Sequence, residues 1–528
     1  MKFSTGDKIP ASEKILDDIP LVGEMSFSEF DISKEGIKGK PISCSNCGAI
    51  LTNIKLVETN DKVGTFFKCQ FCASVNVIDP KDLPDNIDIN IDWYMPPDTT
   101  KGDFGKGVQK GNSLIAALDV SGSMSGGRLE GVKQSLISTL KAYSKSKADA
   151  IFGVISFESS LRIYSADGEV VEQISGDTLY DVKAIEKEVA GNSWVKKQLP
   201  KMTIESTAKD WQRTIQKMVP LGSTALGPAV VAARIMSLAA GTGRILLLTD
   251  GLANEGIGSL SGSSPQGKKF YKSIAQELKK NGVILDSVGI AGQGSLELKT
   301  LAQMPEITGG DLFYADLSEL TDSFSMIAGD ELIGRNARIK VILPKELELE
   351  NLSGAGAHQS NLKEGEDISL GGLTRSRSIA FEFKANKKVK DRKKVPVQVQ
   401  IRYKDEDDNE RIKVVEQELE VSEVKEELEK SLDADFLEKS LDADLIAGYT
   451  VQRAAQVMQE DRKKSKEMMK NMRSTLSRAA PTAAAAQAYL ADEMEDLDEL
   501  IELEESGEAR ADDKVQASAY RMAKKRKK

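Results

Sequence analysis

Two short apolar segments of this chain each lead into an aspartate, and they constrain the fold more than any other feature. Residues 114–118 run into Asp119, and residues 245–248 run through Thr249 into Asp250. Short apolar segments separated by helical patterns are typical of buried parallel strands. Ligands of such sheets bind at the carboxyl ends of the strands. The sequence therefore predicts a doubly wound α/β domain with both aspartates at one rim.

Hydroxyl side chains accompany the two aspartates. Ser121 and Ser123 follow Asp119, and Thr224 lies in a Gly-Ser-Thr turn before a predicted helix. Carboxylates and hydroxyls are oxygen ligands, which hard cations such as magnesium and manganese prefer. For the Asp-x-Ser-x-Ser fragment alone, the alternative is an ordinary turn at a strand end. The predicted magnesium or manganese site consists of Asp119, Ser121, Ser123, Thr224 and Asp250.

These five residues resemble the metal-ion-dependent adhesion site of von Willebrand factor A (vWA) domains. The resemblance implies that the hydroxyls bind the metal directly, while the aspartates act largely through water. It also implies an open coordination position that accepts a carboxylate from a protein partner. Such a site supplies no nucleophile and no general base, so we expect neither catalytic residues nor enzymatic activity.

All four cysteines of the chain lie near its amino terminus. They form two Cys-x-x-Cys pairs, Cys44 with Cys47 and Cys69 with Cys72. This spacing is typical of a tetrahedral structural zinc site. Disulfides are the alternative, but the chain opens without the apolar segment of a secreted protein. A segment as short as residues 43–80 builds little core alone, so zinc would supply its folding free energy.

The charge balance and the hydropathy pattern exclude several classes of protein. The net charge of −10 argues against nucleic acid as a partner. No apolar segment approaches the length of a membrane span, so any membrane contact is expected to be peripheral. We therefore expect a cytoplasmic protein that acts by binding other proteins.

The periodicity changes along the chain and divides it into segments. Strands and helices alternate until about residue 330, period-2 alternation then predicts a β-sandwich, and helical patterns follow. The predicted segments are 1–42, an amino-terminal segment for which added strands of the β-sandwich are one alternative; 43–80, a zinc ribbon; 81–112, a linker; 113–330, the vWA domain; 331–421, the β-sandwich; 422–510, a helical region; and 511–528, a basic disordered tail.

The vWA segment contains a long insertion, residues 166–219, which holds Trp194 and Trp211. One interpretation is a binding surface beside the predicted metal site, because inserted surface segments often carry function. The other is a pair of helices that covers the edge of the sheet. The sequence leaves both alternatives open.

The order of segments resembles the inner-coat subunits of COPII vesicles, a GTPase-activating subunit and a cargo adaptor. Residues 44–49 and 67–77 are similar to the coat zinc ribbon, and residues 270–275 and 308–314 are similar to the coat trunk. The resemblance implies vesicle trafficking, coat components as partners and a peripheral position on endoplasmic reticulum or vesicle membranes. No counterpart of the coat's arginine finger is found, so GTPase activation is not implied.

The favoured hypothesis is a non-enzymatic scaffold or adaptor that binds an acidic group of a partner through the metal rim. The alternative is a ubiquitin-ligase-like protein, since some ligases combine a zinc module with a vWA domain. The cysteine spacing suits a zinc ribbon and not the eight interleaved ligands of a RING, which disfavours the ligase.

Overall fold

The computed structural model describes most of the 528-residue chain. It does not describe residues 11–18, 29, 31–35, 85–89, 96–111, 262–263, 293–294, 354–364, 423–440, 459–460, 480–482, 506–510 and 525–528. Parts of the predicted linker, of the helical region and of the basic tail lie outside the described residues.

A seven-stranded sheet forms the centre of the α/β domain. Asp119 is the last residue of a strand in the middle of this sheet. The strands on either side of it, residues 151–157 and 244–249, are both parallel to it. The chain reverses its direction across the sheet at this strand, which places a crevice at the carboxyl ends. In sheet order, the strands are Val170–Ser175, Ser160–Tyr164, Ile151–Phe157, Ser113–Asp119, Arg244–Thr249, Ile284–Ile290 and Leu312–Ala315.

Helices cover both faces of this sheet. Ile115 and Ala117 belong to one buried cluster, while Leu114 and Ala116 belong to another, because successive strand residues point to opposite faces. The doubly wound fold predicted from the apolar segments is confirmed. The helices are Arg128–Ser146, Val182–Gly191, Ser193–Lys197, Ile204–Gln216, Leu226–Ala239, Pro265–Lys280, Leu298–Leu301, Gln303–Thr308 and Leu320–Gly329.

The insertion of residues 166–219 extends the sheet and covers it. Val170–Ser175 is the edge strand, and the helix Ile204–Gln216 packs beside Arg128–Ser146. Trp211 of that helix is fully buried, with its ring 5.5 Å from that of Phe152 in an edge-to-face arrangement. Most of the insertion therefore serves the core of the domain.

Two sheets form the predicted β-sandwich, with aromatic contacts between Phe3, Phe381 and Phe383 in its core. One sheet contains Lys2–Phe3, Leu21–Ser26, Ser378–Ala385 and Leu347–Ser353. The other contains Ile368–Thr374, Leu332–Ile342, Lys394–Lys404, Glu410–Ser422, Asn90–Met95 and Ile37–Lys38, with Lys8–Pro10 beside Glu410–Ser422. Strands of residues 1–42 thus occur in both sheets.

The predicted linker of residues 81–112 differs from the structure at one place. Residues Asn90–Met95 form a strand of the sandwich, antiparallel to Glu410–Ser422. Trp93 is buried with Ile50, Ile412 and Val414. The prolines of this segment suggested a linker, but the burial of Trp93 stabilises a strand between them.

The cysteine segment is a small three-stranded sheet that rests on the sandwich. Its strands are Val57–Asn60, Gly64–Lys68 and Val75–Val77. The amide of Gln398, fully buried, donates to the carbonyl of Ile50 and accepts from its N–H, both at 2.8 Å. Gln400 donates to the carbonyl of Gly48 at 2.9 Å. These bonds fix the segment on one strand of the sandwich.

Among the described residues after the sandwich there are four helices: Ala443–Met458, Arg462–Ala479, Ala484–Glu505 and Ala511–Lys524. The last one differs from the predicted disordered tail, since it packs on the α/β domain. Asp513 accepts from the N–H groups of Leu296 and Leu298, and Tyr520 donates to the carbonyl of Gly310. Within the described residues, no helix is long and apolar enough to cross a membrane.

Candidate functional sites

The four cysteines converge as the spacing predicts. Their sulfurs all lie within 4.8 Å of one another. Cys44 Sγ is 3.5 Å from Cys72 Sγ, and Cys47 Sγ is 3.6 Å from Cys69 Sγ. Four sulfurs placed tetrahedrally around zinc would be separated by roughly 3.8 Å, given Zn–S bonds of about 2.3 Å. The set therefore has the geometry of a closed zinc site.

Each cysteine pair sits in the same kind of turn. The N–H of Gly48 donates to the carbonyl of Cys44, and the N–H of Ala73 donates to the carbonyl of Cys69, both at 2.9 Å. Gly48 and Ala73 have φ values of 74° and 61°. The left-handed conformation suits the glycine and strains the alanine. The two matched turns aim their thiols at a common point.

Burial controls the protonation of two of the four thiols, Cys47 and Cys69, in the absence of a cation. Burial raises the pKa of Cys69 to about 11, and it raises the pKa of Cys47 well above its ordinary value. Both thiols are then protonated at neutral pH, so binding of a metal would release protons. A sphere closed by four thiolates leaves no position for a substrate, which fits a structural role.

The second site is the rim at the carboxyl ends of the central strands. The predicted ligands Asp119, Ser121, Ser123, Thr224 and Asp250 come together there, and all but Ser123 are buried. A Cβ built on Gly251 would lie 3.1 Å from Thr224 Oγ1, 3.3 Å from Ser123 Oγ and 3.8 Å from Asp119 Oδ2. Side chains from three separate loops thus point at one place. We refer to these five residues as the rim.

Hydrogen bonds connect the rim oxygens. Asp119 accepts from the N–H of Ser121 at 2.8 Å and from the hydroxyl of Thr249 at 2.6 Å. The hydroxyls of Ser121 and Ser123 are 2.9 Å apart, and Ser123 donates to Asp250 at 2.6 Å. Both aspartates are oriented before any ligand binds. The arrangement fits a hard cation, because every group offered is an oxygen.

Burial also dominates the electrostatics of the rim. Burial raises the pKa of Asp119 to about 7, although hydrogen bonds from Ser121 and Thr249 act against it. Burial likewise raises the pKa of Asp250. Burial therefore works against the ionised form of both carboxylates, and Arg128, 3.4 Å from Asp250, offsets it there only in part. A bound cation would favour the ionised form of both.

Three residues that support the rim were missed in the sequence. Thr249 precedes Asp250 and fixes Asp119, and Asn254 exchanges bonds of 2.8 and 3.1 Å with the backbone of Thr224. Arg128 contacts Asp250 through its guanidinium. The Thr-Asp-Gly sequence after a strand was a usable signal for Thr249. Nothing in the spacing of Asn254 or Arg128 marked them.

Exposed apolar side chains adjoin the rim. Val219 and Leu221 are 69% and 60% exposed on the chain that enters the Gly-Ser-Thr turn. The N–H of Leu221 donates to the carbonyl of Val120 at 2.7 Å, which fixes it beside the rim. Tyr180 of the insertion is also exposed and donates to Glu255, whose N–H contacts the Thr224 carbonyl. The insertion therefore reaches the rim at its periphery.

Comparisons with known proteins agree with this architecture. Family models for the Sec23/Sec24 trunk domain and the Sec23/Sec24 beta-sandwich domain match residues 115–327 and 334–422. Circularly permutated Ras protein 1 from Dictyostelium discoideum is 24% identical over 403 residues, covering 68% of this chain and 47% of that protein. The chain thus spans about half the length of this relative.

One solved structure shares the fold of this chain at low sequence identity, and a second is more distantly similar. The human COPII-coat protein Sec24c superposes with a TM-score of 0.68 and 14% identity, covering 99% of this chain and 75% of that chain. A von Willebrand factor type A protein from Catenulispora acidiphila gives a TM-score of 0.48 and 15% identity, covering 79% and 91%. The resemblance seen in the sequence is confirmed: the trunk and β-sandwich domains of this chain belong to the Sec23/Sec24 family, and its fold is like that of the COPII-coat protein Sec24c.

Proposed function

We propose that this chain is a non-enzymatic adaptor or scaffold of a COPII-like vesicle coat, and that its rim captures an acidic group of a partner through a divalent cation. The capture of an acidic group rests on the convergence of five oxygen ligands at a switch point of the sheet. The coat role is supported by the Sec23/Sec24-type domains.

The chemistry of the rim supports binding and not turnover. Two carboxylates would offset the charge of magnesium or manganese, while three neutral hydroxyls leave the ion electrophilic toward a further carboxylate. Ser123 donates to Asp250, but a cation at the rim would engage both groups and leave neither free as a nucleophile or a base. Val219 and Leu221 are exposed beside the rim, so the acidic group is expected to be flanked by apolar side chains.

Replacing Asp119 with alanine is expected to abolish magnesium-dependent capture of the partner while leaving the fold intact. Asp119 supplies one of two carboxylates to the cation, yet it lies at a strand end and contributes little to the apolar core. Pull-downs with the full chain would be compared in magnesium and in EDTA. Asp322→Ala, an exposed aspartate elsewhere on the domain, is the matched control.

One outcome would contradict the metal-dependent capture. If binding of the partner is unaffected by magnesium, by EDTA and by Asp119→Ala, the rim is only a structural turn at the strand ends. The coat role would survive that outcome, because it rests on the domain family and not on the rim.

Imaging of the tagged full chain tests the coat role. A coat-like protein is expected to concentrate on endoplasmic reticulum or vesicle membranes as a peripheral, salt-extractable protein. Co-localisation with a COPII marker, lost when vesicle budding is blocked, would support the proposal. A uniformly cytoplasmic distribution unaffected by the block would contradict it.

A further inference from the structure

Arg128 is the one basic side chain that the described structure places in contact with a rim residue. It contacts the three loops that follow the strands of residues 113–119, 244–249 and 284–290. Its Nη1 donates to the Ser123 carbonyl at 2.5 Å and lies 3.4 Å from Asp250 Oδ2. Its Nε donates to the Ala291 carbonyl at 3.3 Å. The Arg128 side chain is 22% exposed, and that of Asp250 is fully buried.

The backbone before Arg128 aims it at the rim. Gly126 and Gly127 have φ values of 75° and 99°, a conformation that other residues rarely adopt. Arg128 then begins the helix Arg128–Ser146 with its side chain turned back across the loop. The Arg128 side chain therefore lies over the loop and reaches Ser123 and Asp250.

Both oxygens of Asp250 are engaged within the protein in this arrangement. Oδ1 accepts from the Ser123 hydroxyl, and Oδ2 contacts the guanidinium. A divalent cation at the rim would meet a fixed positive charge and a carboxylate whose charge is already neutralised. Guanidinium groups stay charged at every physiological pH, so Arg128 would compete with the cation for Asp250 at all of them.

We infer that Arg128 is a tethered cation that competes with the divalent ion for Asp250 and thereby sets the affinity of the rim for metal. This inference rests on the proposed metal site and names the residue that determines its affinity. If Arg128 competes in this way, the rim binds metal weakly in the isolated protein. A partner carboxylate that draws Arg128 away from Asp250 would tighten metal binding and its own binding together, since the coupling is reciprocal.

Manganese alone is the probe for this inference. We expect Arg128→Gln in the full, zinc-supplied chain to bind Mn²⁺ about tenfold more tightly than the unmodified chain, because a repelling charge is removed. Free Mn²⁺ would be counted by electron paramagnetic resonance at constant ionic strength. Arg128→Lys keeps the charge and is expected to stay close to the original affinity. Arg128→Met serves as a second neutral variant.

The outcomes separate the inference from the proposed function. Mn²⁺ binding that is lost in Asp119→Ala but unchanged or weaker in both neutral variants would overturn the role of Arg128 and leave the metal site standing. Equal weakening in Arg128→Lys and the neutral variants would show that Arg128 only holds the loops, which also overturns it. Absence of rim binding in every variant would overturn both proposals. Tighter binding in the neutral variants alone supports the inference.

Discussion

Replacing Cys69 with serine is expected to remove the zinc and unfold residues 43–80 while the α/β domain stays folded. The ribbon has only a small apolar core, formed by residues such as Leu51, Phe67 and Phe71. Structural zinc contributes apparent binding free energies of about 10 to 16 kcal/mol in small zinc domains, far more than such a core supplies. Loss of one ligand leaves three thiols without the ion that orders them.

The effect should spread to the sandwich. Gln398 and Gln400 donate to the carbonyls of Ile50 and Gly48, so an unfolded ribbon removes these bonds, while Gln398 keeps its bond to Glu416 and Gln400 keeps its bond to Gln398. Each lost hydrogen bond contributes about 0.5 to 1.5 kcal/mol net. The sandwich is therefore expected to lose stability even though no residue of it is changed.

Elemental analysis and hydrogen exchange check this prediction. The unmodified chain should contain close to one zinc, and Cys69→Ser should lose it together with amide protection in residues 43–80. Ser74→Ala is the control, because Ser74 contacts the Cys72 sulfur without being a ligand. Less than half an equivalent of zinc in the unmodified chain, or undiminished protection in Cys69→Ser, would contradict the assignment.

Local patterns were sufficient for the α/β domain and its rim. Each apolar segment is short and fully buried, so its strand character could be read from the sequence, as at residues 113–119 and 244–249. The rule that strands present ligands at their carboxyl ends then brought Asp119 and Asp250 together. The five rim residues needed no long-range information beyond that rule.

Long-range pairing explains what the sequence did not reveal. The strand Asn90–Met95 is stabilised by Glu410–Ser422, more than three hundred residues later, and its own composition suggested a linker. The last helix depends on Asp513 and Tyr520 reaching the α/β domain, whereas its basic end suggested disorder. Arg128 likewise has a role only because three loops meet around it. Such contacts are properties of the folded chain and leave no local pattern.

Replacing Arg244 with methionine is expected to destabilise the α/β domain by about 3 to 5 kcal/mol, the usual cost of leaving buried charges without their partner. Arg244 begins a central strand and is 5% exposed. Its Nη1 lies 3.5 Å from Asp286 Oδ2 and donates to the Ile327 carbonyl at 2.9 Å, and its Nη2 lies 3.9 Å from Asp330 Oδ2. Methionine keeps most of the apolar volume of the side chain, so the change removes the ion pairs and the hydrogen bond to Ile327 with little loss of packing.

The loss is expected to be larger than that of a surface ion pair because solvent cannot replace Arg244 at its carboxylates. Asp286 also accepts from the N–H of Asp311, and Asp330 accepts from the N–H of Ser376, where the α/β domain meets the sandwich. Urea unfolding followed by tryptophan fluorescence reports mainly this domain, because Trp194 and Trp211, two of the three tryptophans of the chain, lie in it. Arg213→Met, which removes an arginine whose side chain is 74% exposed, should change the midpoint little.

Adding Asp286→Asn to Arg244→Met should recover part of the loss of stability, because one of the two uncompensated charges disappears. Equal midpoints for Arg244→Met and Arg213→Met would show that the buried pairs carry no net stability.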